Sequence, residues 1–207
     1  GFQPIVVFDA DGRFVTAVLR PAKRPKGVEI RAFLRRLARA IRATWPNLEI
    51  LLRADSHYAC PEVLDWCEAN GIDYVFGLAP TRTLRRHVAG LEASTAARFK
   101  AAPNGGKVRR FKEFFDAAKT WSRVRRIVAR VEAGGDGTDT RFIVTSLGHG
   151  SGRSLYQELY CRRGQAENHI KAWKTHLAAD RTSCPKATAN QFRLFLHAGA
   201  YWLLWGA

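Results

Sequence analysis

The sequence contains no methionine, not even an initiator, which sets the expectation that its numbering begins inside a longer gene product. No apolar run approaches the ~20 residues a membrane helix needs. The opening Gly1-Phe2-Gln3-Pro4 lacks the basic-then-apolar start of a signal peptide. Cys60, Cys67, Cys161 and Cys184 form no C-x-x-C pair, which argues against a zinc ribbon or a redox dithiol. Cys60 and Cys67 lie on an apparent helix and read as small apolar residues. Nothing requires an oxidising compartment, so the cytoplasm is the expected location. No internal repeat is visible. Acidic residues are scarce: 18 stand against 34 Lys and Arg, a net charge of +16. That balance points to a polyanionic partner, nucleic acid first and an anionic membrane surface second. The charge is spread over Arg35-Arg36, Arg85-Arg86, Arg109-Arg110 and Arg125-Arg126, whereas a disordered basic tail would concentrate it at one end.

What is present is enough to fold. Apolar residues make up 46% of 207 and aromatics 11%, which excludes a disordered chain and allows one domain, or one domain with an insertion. Ile5 to Phe8 and Phe14 to Leu19 flank Asp9-Ala10-Asp11-Gly12, the pattern of an antiparallel hairpin with a tight turn. Between Val28 and Trp45, Ile30, Phe33, Leu34, Leu37, Ala38 and Ile41 recur at steps of three and four, predicting an amphipathic helix stopped by Pro46. Leu48 to Ala54 is almost wholly apolar and reads as a strand buried on both faces. Pro61 suits the first turn of a second helix, Asn70-Gly71 ends it, and Tyr74 to Leu78 is a further strand. Strand, helix, strand at this spacing predicts a parallel βαβ unit.

From Pro80 to Gly150 the composition turns basic and glycine-punctuated, with a helical stretch near Leu84 to Leu91 and β-like runs at Trp121 to Val131 and Arg141 to Leu147. Ser154 to Trp173 reads as a helix with Ser154 and Gln157 spaced as a capping box, and Gly164 inside it allows local distortion. Ala187 to Trp205 is a strongly apolar closing helix. The expected division is therefore residues 1–79 as the first part of a core, 80–150 as an insertion that is partly helical and then β-rich, and 151–207 as its C-terminal helices.

Two acids stand out by position. Asp55 falls where a strand of an open α/β sheet ends, the usual place for a functional residue, although an acid there is also a common turn cap. Glu167 lies on a helix among Arg162, Arg163, Lys171 and Lys174, where a solvated ion pair is the bland alternative. At about 100° per residue, Tyr160, Arg163, Glu167 and Lys174 fall at roughly 0°, −60°, −20° and −40°, with Lys171 beside them. A face carrying a phenol, a guanidinium, a carboxylate and two ammonium groups does not suit a core but suits a phosphodiester. There the carboxylate holds a divalent metal while the cations take phosphate oxygens. His57 is a further candidate near a metal or phosphate, with an idle loop histidine as the alternative. Trp121, Trp173 and Phe111 read either as stacking platforms for an unpaired base or as packing residues. Arg82, Arg85, Arg86, Lys107, Arg109, Arg110, Arg123, Arg125 and Arg126 make the 80–150 stretch basic, consistent with contact to a DNA backbone.

Tyr160-x2-Arg163-x3-Glu167-x6-Lys174 resembles the Y-R-E-K signature of the bacterial insertion-sequence transposases of the IS-four supergroup. The segments 51–56, 70–78 and 141–147 are similar to its thirteen-eighty branch, and the resemblance runs along nearly the whole chain. It implies an α/β, ribonuclease-H-like mixed sheet flanked by helices, its first strand missing here, with a β-rich insertion. It further implies a DNA transposase that cuts and joins transposon ends using three acids and two Mg²⁺ or Mn²⁺ ions. Asp55 matches the second acid and Glu167 the third. Tyr160, Arg163 and Lys174 match the residues that grip the transposon end, and Lys171 is grouped with them. Double-stranded DNA, as transposon ends and target, is the implied partner, bound by a homodimer, with no membrane partner and a bacterial, nucleoid-associated location. The family's first Asp lies on a strand before the hairpin. Asp9 and Asp11 read instead as turn residues, so the stretch alone is expected to bind metal poorly and not to cut DNA. The competing readings are an inactive DNA-binding transposase remnant, a structure-specific nuclease on the same fold, and, more distantly, a basic RNA-binding protein, for which no RNA-binding signature is present.

Overall fold

The computed structural model describes residues 1–102, 106–179 and 181–206. In chain order the elements are β1 (Ile5–Phe8), β2 (Phe14–Val18), α1 (Gly27–Thr44), β3 (Leu51–Ala54), α2 (Pro61–Ala69), β4 (Asp73–Leu78) and α3 (Arg82–Ala101). They continue with β5 (Val108–Asp116), β6 (Arg125–Gly134), β7 (Gly137–Thr145), α4 (Gly152–Ser154), a π-helical segment Leu155–Tyr160, a 3-10 turn Cys161–Arg163, α5 (Gly164–Leu177) and α6 (Ala187–Gly206). The chain divides into two compact units: Gly1–Arg24 with Arg162–Ala207, and Pro25–Cys161.

In the first unit the expected hairpin is present, with Ile5 opposite Val18 and Phe8 opposite Phe14. Its turn is closed by Asp9, whose Oδ1 accepts hydrogen bonds from the backbone N–H of Asp11 (2.9 Å) and Arg13 (2.8 Å). Gly12 is required there twice over: its φ is +85°, and a Cβ would lie 2.5 Å from the His169 ring. Phe14, Ala17, Trp173, Ala179, Leu194 and Tyr201 form the core between hairpin, α5 and α6. The Tyr201 hydroxyl donates to the Gly12 carbonyl (2.9 Å), and burial, together with nearby Asp9, raises its pKa.

In the second unit, α1 buries Ile30, Phe33, Leu34 and Ala38, the face anticipated from their spacing. β3 and β4 pair in parallel, from Leu51 opposite Asp73 to Ala54 opposite Phe76, so the βαβ unit is present. The five-stranded sheet has the order β3-β4-β7-β6-β5. Residues 80–150, expected as an insertion, supply three of those strands, because β7 pairs antiparallel with β4 and carries the sheet onward into β6 and β5. One face packs under α3 through Leu84, Val88, Ile127, Ala129, Val131 and Phe142. Another cluster joins Val75, Val128, Ile143 and Leu147 to Leu155 and Tyr156.

Several sequence expectations need correction. β3 is not buried on both faces; it lies at the sheet edge, and its residues are exposed or half-buried. β5 was not anticipated, since Arg109, Arg110, Lys112 and Glu113 mask its alternation. The cap of the helical stretch is Ser151, which accepts from the Ser154 N–H, rather than the Ser154/Gln157 pair. Ser154 instead donates its hydroxyl to Glu158 (2.8 Å), and Gln157 accepts from Arg153 (2.8 Å). Cys67 is fully buried, and burial pushes its thiol up to about 12, in keeping with an apolar packing role.

Candidate active site

Asp55 follows the last residue of β3, where the chain leaves the sheet edge and turns toward α2. Its Oδ1 accepts from the His57 N–H (2.8 Å), and His57 Nδ1 lies 3.3 Å away. The acid therefore caps its own turn, yet its side chain remains 46% exposed, leaving the carboxylate open to a ligand. The His57 ring therefore stands beside this carboxylate.

Tyr160 reaches the same strand end from the π-helical segment. Leu155 and Tyr156 anchor that segment on the sheet, the Tyr156 and Tyr160 rings are 5.5 Å apart, and Arg53 Nη1 on β3 donates to the Leu159 carbonyl (3.3 Å). The space for the phenol comes from Gly77 on β4. A Cβ there would lie 2.6 Å from the Tyr160 hydroxyl, 3.1 Å from the Ser56 N and 3.4 Å from the Asp55 carbonyl carbon. Side chain and turn thus meet over the one residue of β4 that has no side chain. Gly77 was not singled out from sequence; a glycine inside a strand pattern was the available signal of close approach.

The remaining candidates lie in the first unit. Glu167 on α5 is 66% exposed and pairs with Arg163 at 3.0 Å, while Lys171 and Lys174 are exposed. Residues 155–160 are π-helical and 161–163 form a 3-10 turn, so about 100° per residue applies only from Gly164 onward. Within α5, Glu167, Lys171 and Lys174 keep neighbouring phases. A π-helical stretch of this kind is frequent at functional sites. Asp9 and Asp11 sit at the hairpin tip, where both pair with Arg13.

The aromatic candidates resolve toward packing. Trp173 is fully buried, Phe111 packs against Tyr156 (5.8 Å), and Trp121 lies under the Arg125 guanidinium (5.2 Å). Most of the basic residues of 80–150 are occupied as well. Arg109 and Lys107 pair with Glu132, Arg126 with Glu113, Arg123 with Glu68, and Arg85 with Glu92. Arg125 is buried and binds Asp65 (2.6 Å) and Glu68 (2.7 Å). A hydrogen bond from Ser122 and the Arg125 guanidinium hold the Asp65 carboxyl below its ordinary range. Burial alone would raise Glu68, but hydrogen bonds from Arg125 and Tyr74 outweigh it and lower the pKa.

Among the described residues no group of three or more His, Cys, Asp or Glu side chains is arranged to hold a metal ion. Asp55 and Glu167 do offer exposed carboxylate oxygens, the hard donors that Mg²⁺ and Mn²⁺ prefer. No described helix is long and apolar enough to cross a membrane.

A five-stranded mixed sheet flanked by helices, with a carboxylate at a strand end, is the ribonuclease-H-like architecture of metal-dependent DNA-processing enzymes. The model of one family, the transposase DDE domain group 1, matches residues 1–206, and the chain belongs to that family. No curated protein matches it. Membership makes this a transposase domain of an enzyme class that acts on DNA and generally uses divalent metal ions.

Proposed function

We propose that the chain is the catalytic core of a bacterial insertion-sequence transposase, of the Y-R-E-K group and its thirteen-eighty branch. Such a transposase carries out metal-dependent cleavage and strand transfer of transposon ends in cut-and-paste transposition. Family membership over residues 1–206 is the observation that carries this reading, and the exposed Asp55 carboxylate at the β3 end supports the chemistry. Asp55 and Glu167 are the metal-binding acids, and Tyr160, Arg163, Lys171 and Lys174 hold the DNA end.

Two Mg²⁺ or Mn²⁺ ions, when bound, supply activation of the attacking oxygen and charge stabilisation of the leaving oxygen in an in-line displacement. The chain's own residues do the rest. Arg163 steadies Glu167 in the free protein through their ion pair (3.0 Å) and can turn its guanidinium to phosphate oxygens when DNA arrives. His57 orients Asp55 through its backbone N–H. Tyr160 presents a hydroxyl beside the Asp55–Ser56 turn, within the notch left by Gly77. Lys171 and Lys174 neutralise flanking phosphates. The expected assembly on DNA is a homodimer.

The test is metal-dependent cleavage of labelled transposon ends by the full gene product. Asp55→Asn and Glu167→Gln should each remove cleavage by at least about a thousandfold while DNA binding persists. Salt-dependent DNA binding with no cleavage in Mg²⁺ or Mn²⁺ by the unmutated protein would favour the DNA-binding remnant instead.

A further inference from the structure

Helix α1 carries Arg31, Arg35, Arg36 and Arg39 on its outer face, and all four are exposed. Unlike the arginines of β5, β6 and β7, they take part in no side-chain hydrogen bond or ion pair among the described residues. At about 100° per residue, Arg31, Arg35 and Arg39 lie within roughly 80° of one another, and Arg36 within a further 60°. The buried residues Ile30, Phe33, Leu34 and Ala38 occupy the other side. The one acid of the helix, Glu29, is engaged at its first turn, where its carboxylate accepts from the Lys26 N–H (2.8 Å). Arg42, which would extend the row, donates to the carbonyls of Asn70 and Gly71 and ties α1 to the end of α2.

Such a row repels itself along the helix, since like charges four residues apart are mildly destabilising. An external polyanion relieves that repulsion. From Arg31 to Arg39 the rise is about 12 Å, over which one strand of a duplex presents three or four phosphates, at one per ~3.4 Å. The number of free guanidinium groups matches. Arg31 and Arg35 also edge an open cleft of about 920 Å³ that includes Trp66 and Thr120, so the surface beside the row is concave. The cleft also carries two carboxylates: Asp65, which is already held by Arg125 and Ser122, and the exposed Glu62, which offsets part of the positive charge there but lies off the Arg36 and Arg39 end of the row.

We propose that the α1 arginine row is a second DNA-binding surface, one that takes the phosphate backbone of duplex DNA irrespective of sequence and is separate from the residues assigned to the transposon end. It rests on the transposase reading for the identity of the polyanion. It goes beyond that reading in placing a duplex contact on an element with no catalytic residue.

The experiment is an anisotropy titration of a labelled duplex of arbitrary sequence against salt concentration, with three variants of the whole chain. Arg31→Gln/Arg35→Gln/Arg39→Gln should reduce the slope of log affinity against log salt by about 2 to 3, at ~0.9 per phosphate contact, and weaken binding roughly tenfold or more. Arg82→Gln/Arg98→Gln/Lys100→Gln removes the same charge from dispersed positions on α3 and should change the slope less. An equal slope change in these two variants overturns the proposal, as does loss of binding to phosphatidylserine vesicles with duplex binding intact. Lys171→Gln/Lys174→Gln separates the two readings. If it weakens binding while the α1 variant behaves like the parent, the row falls and the transposase reading stands; if neither variant weakens binding, both fall.

Discussion

Helix α1 and the β5–β6–β7 meander are both rich in arginine and dispose of its charge in opposite ways. On the meander, Arg109, Arg125, Arg126 and Arg130 each meet a carboxylate from a neighbouring strand or helix, and Arg141 meets Asp139 of its own strand. On α1, Arg31, Arg35, Arg36 and Arg39 meet none among the described residues. Geometry explains the contrast. Antiparallel strands bring residues of distant sequence to within ~5 Å of one another, so Glu113, Glu132 and Asp139 face cations that the chain order separates from them. The outer face of a helix has no such partner strand. Composition made residues 80–150 a candidate for backbone contact, yet the fold neutralises much of that charge internally and leaves the α1 row free.

The largest test of this comparison is Arg125→Ala. It removes the buried cation from Glu68 and Asp65 and leaves a gap, with Arg123, Tyr74 and Ser122 as their remaining partners; urea unfolding should show a loss of about 3 kcal/mol, whereas Arg35→Ala should stay within about 0.5 kcal/mol. Similar costs at the two positions would erase the distinction between structural and free arginines. The sheet's role as a platform for the candidate site is tested by Gly77→Ala, which should cost about 2 kcal/mol by overpacking. Adding Tyr160→Phe removes the hydroxyl that a Cβ would strike, so about half that loss should return. Strict additivity of the two changes would refute the notch.

Acid should act selectively on the meander and on the α2 carboxylates that pair with it. Asp65, Glu68, Glu113 and Glu132 all have pKa values lowered in the folded protein, Glu132 chiefly by Arg109 and Glu113 by Arg126 and the Gly152 N–H against opposing burial. Groups depressed in this direction stabilise the fold above their unfolded pKa and lose that contribution as pH falls through the folded one. Stability should therefore be retained at neutral pH and fall steadily below about pH 4.5. Denaturant midpoints measured down that range should fall less steeply for Arg125→Ala. The smallest effect belongs to α1. Arg35→Gln should raise stability by a few tenths of a kcal/mol at low salt, through relief of like-charge repulsion, and the gain should vanish at high salt. A gain that persists in high salt would mean the repulsion is not its cause.

Much of the architecture was legible in the residues. The hairpin, α1, α2, the parallel pairing of β3 with β4, and α6 follow from apolar periodicity and turn residues, which are local properties. β5 was not, because its stability comes from pairing with β6 and from cross-strand charges, neither of which is visible within its own nine residues. The candidate site divides in the same way. Asp55 and Glu167 were singled out as candidates from position and spacing. The meeting of Tyr160 with the Asp55–Ser56 turn over Gly77 depends on a strand far away in sequence and on a helical segment whose hydrogen-bond spacing departs from the regular α pattern. No helical count assuming constant geometry reaches that result.

The sequence by itself determined most of the secondary elements, the basic character and the strand-end acid, and it pointed to the transposase domain that family membership supports. These depend on neighbours within a few turns of chain, where propensity and periodicity act. Tertiary structure alone decided which arginines are neutralised, which edge β3 occupies and how Tyr160 reaches the end of that strand. Those outcomes depend on which distant segments share a sheet, and ion pairs and close contacts act only over a few ångströms once the chain has folded.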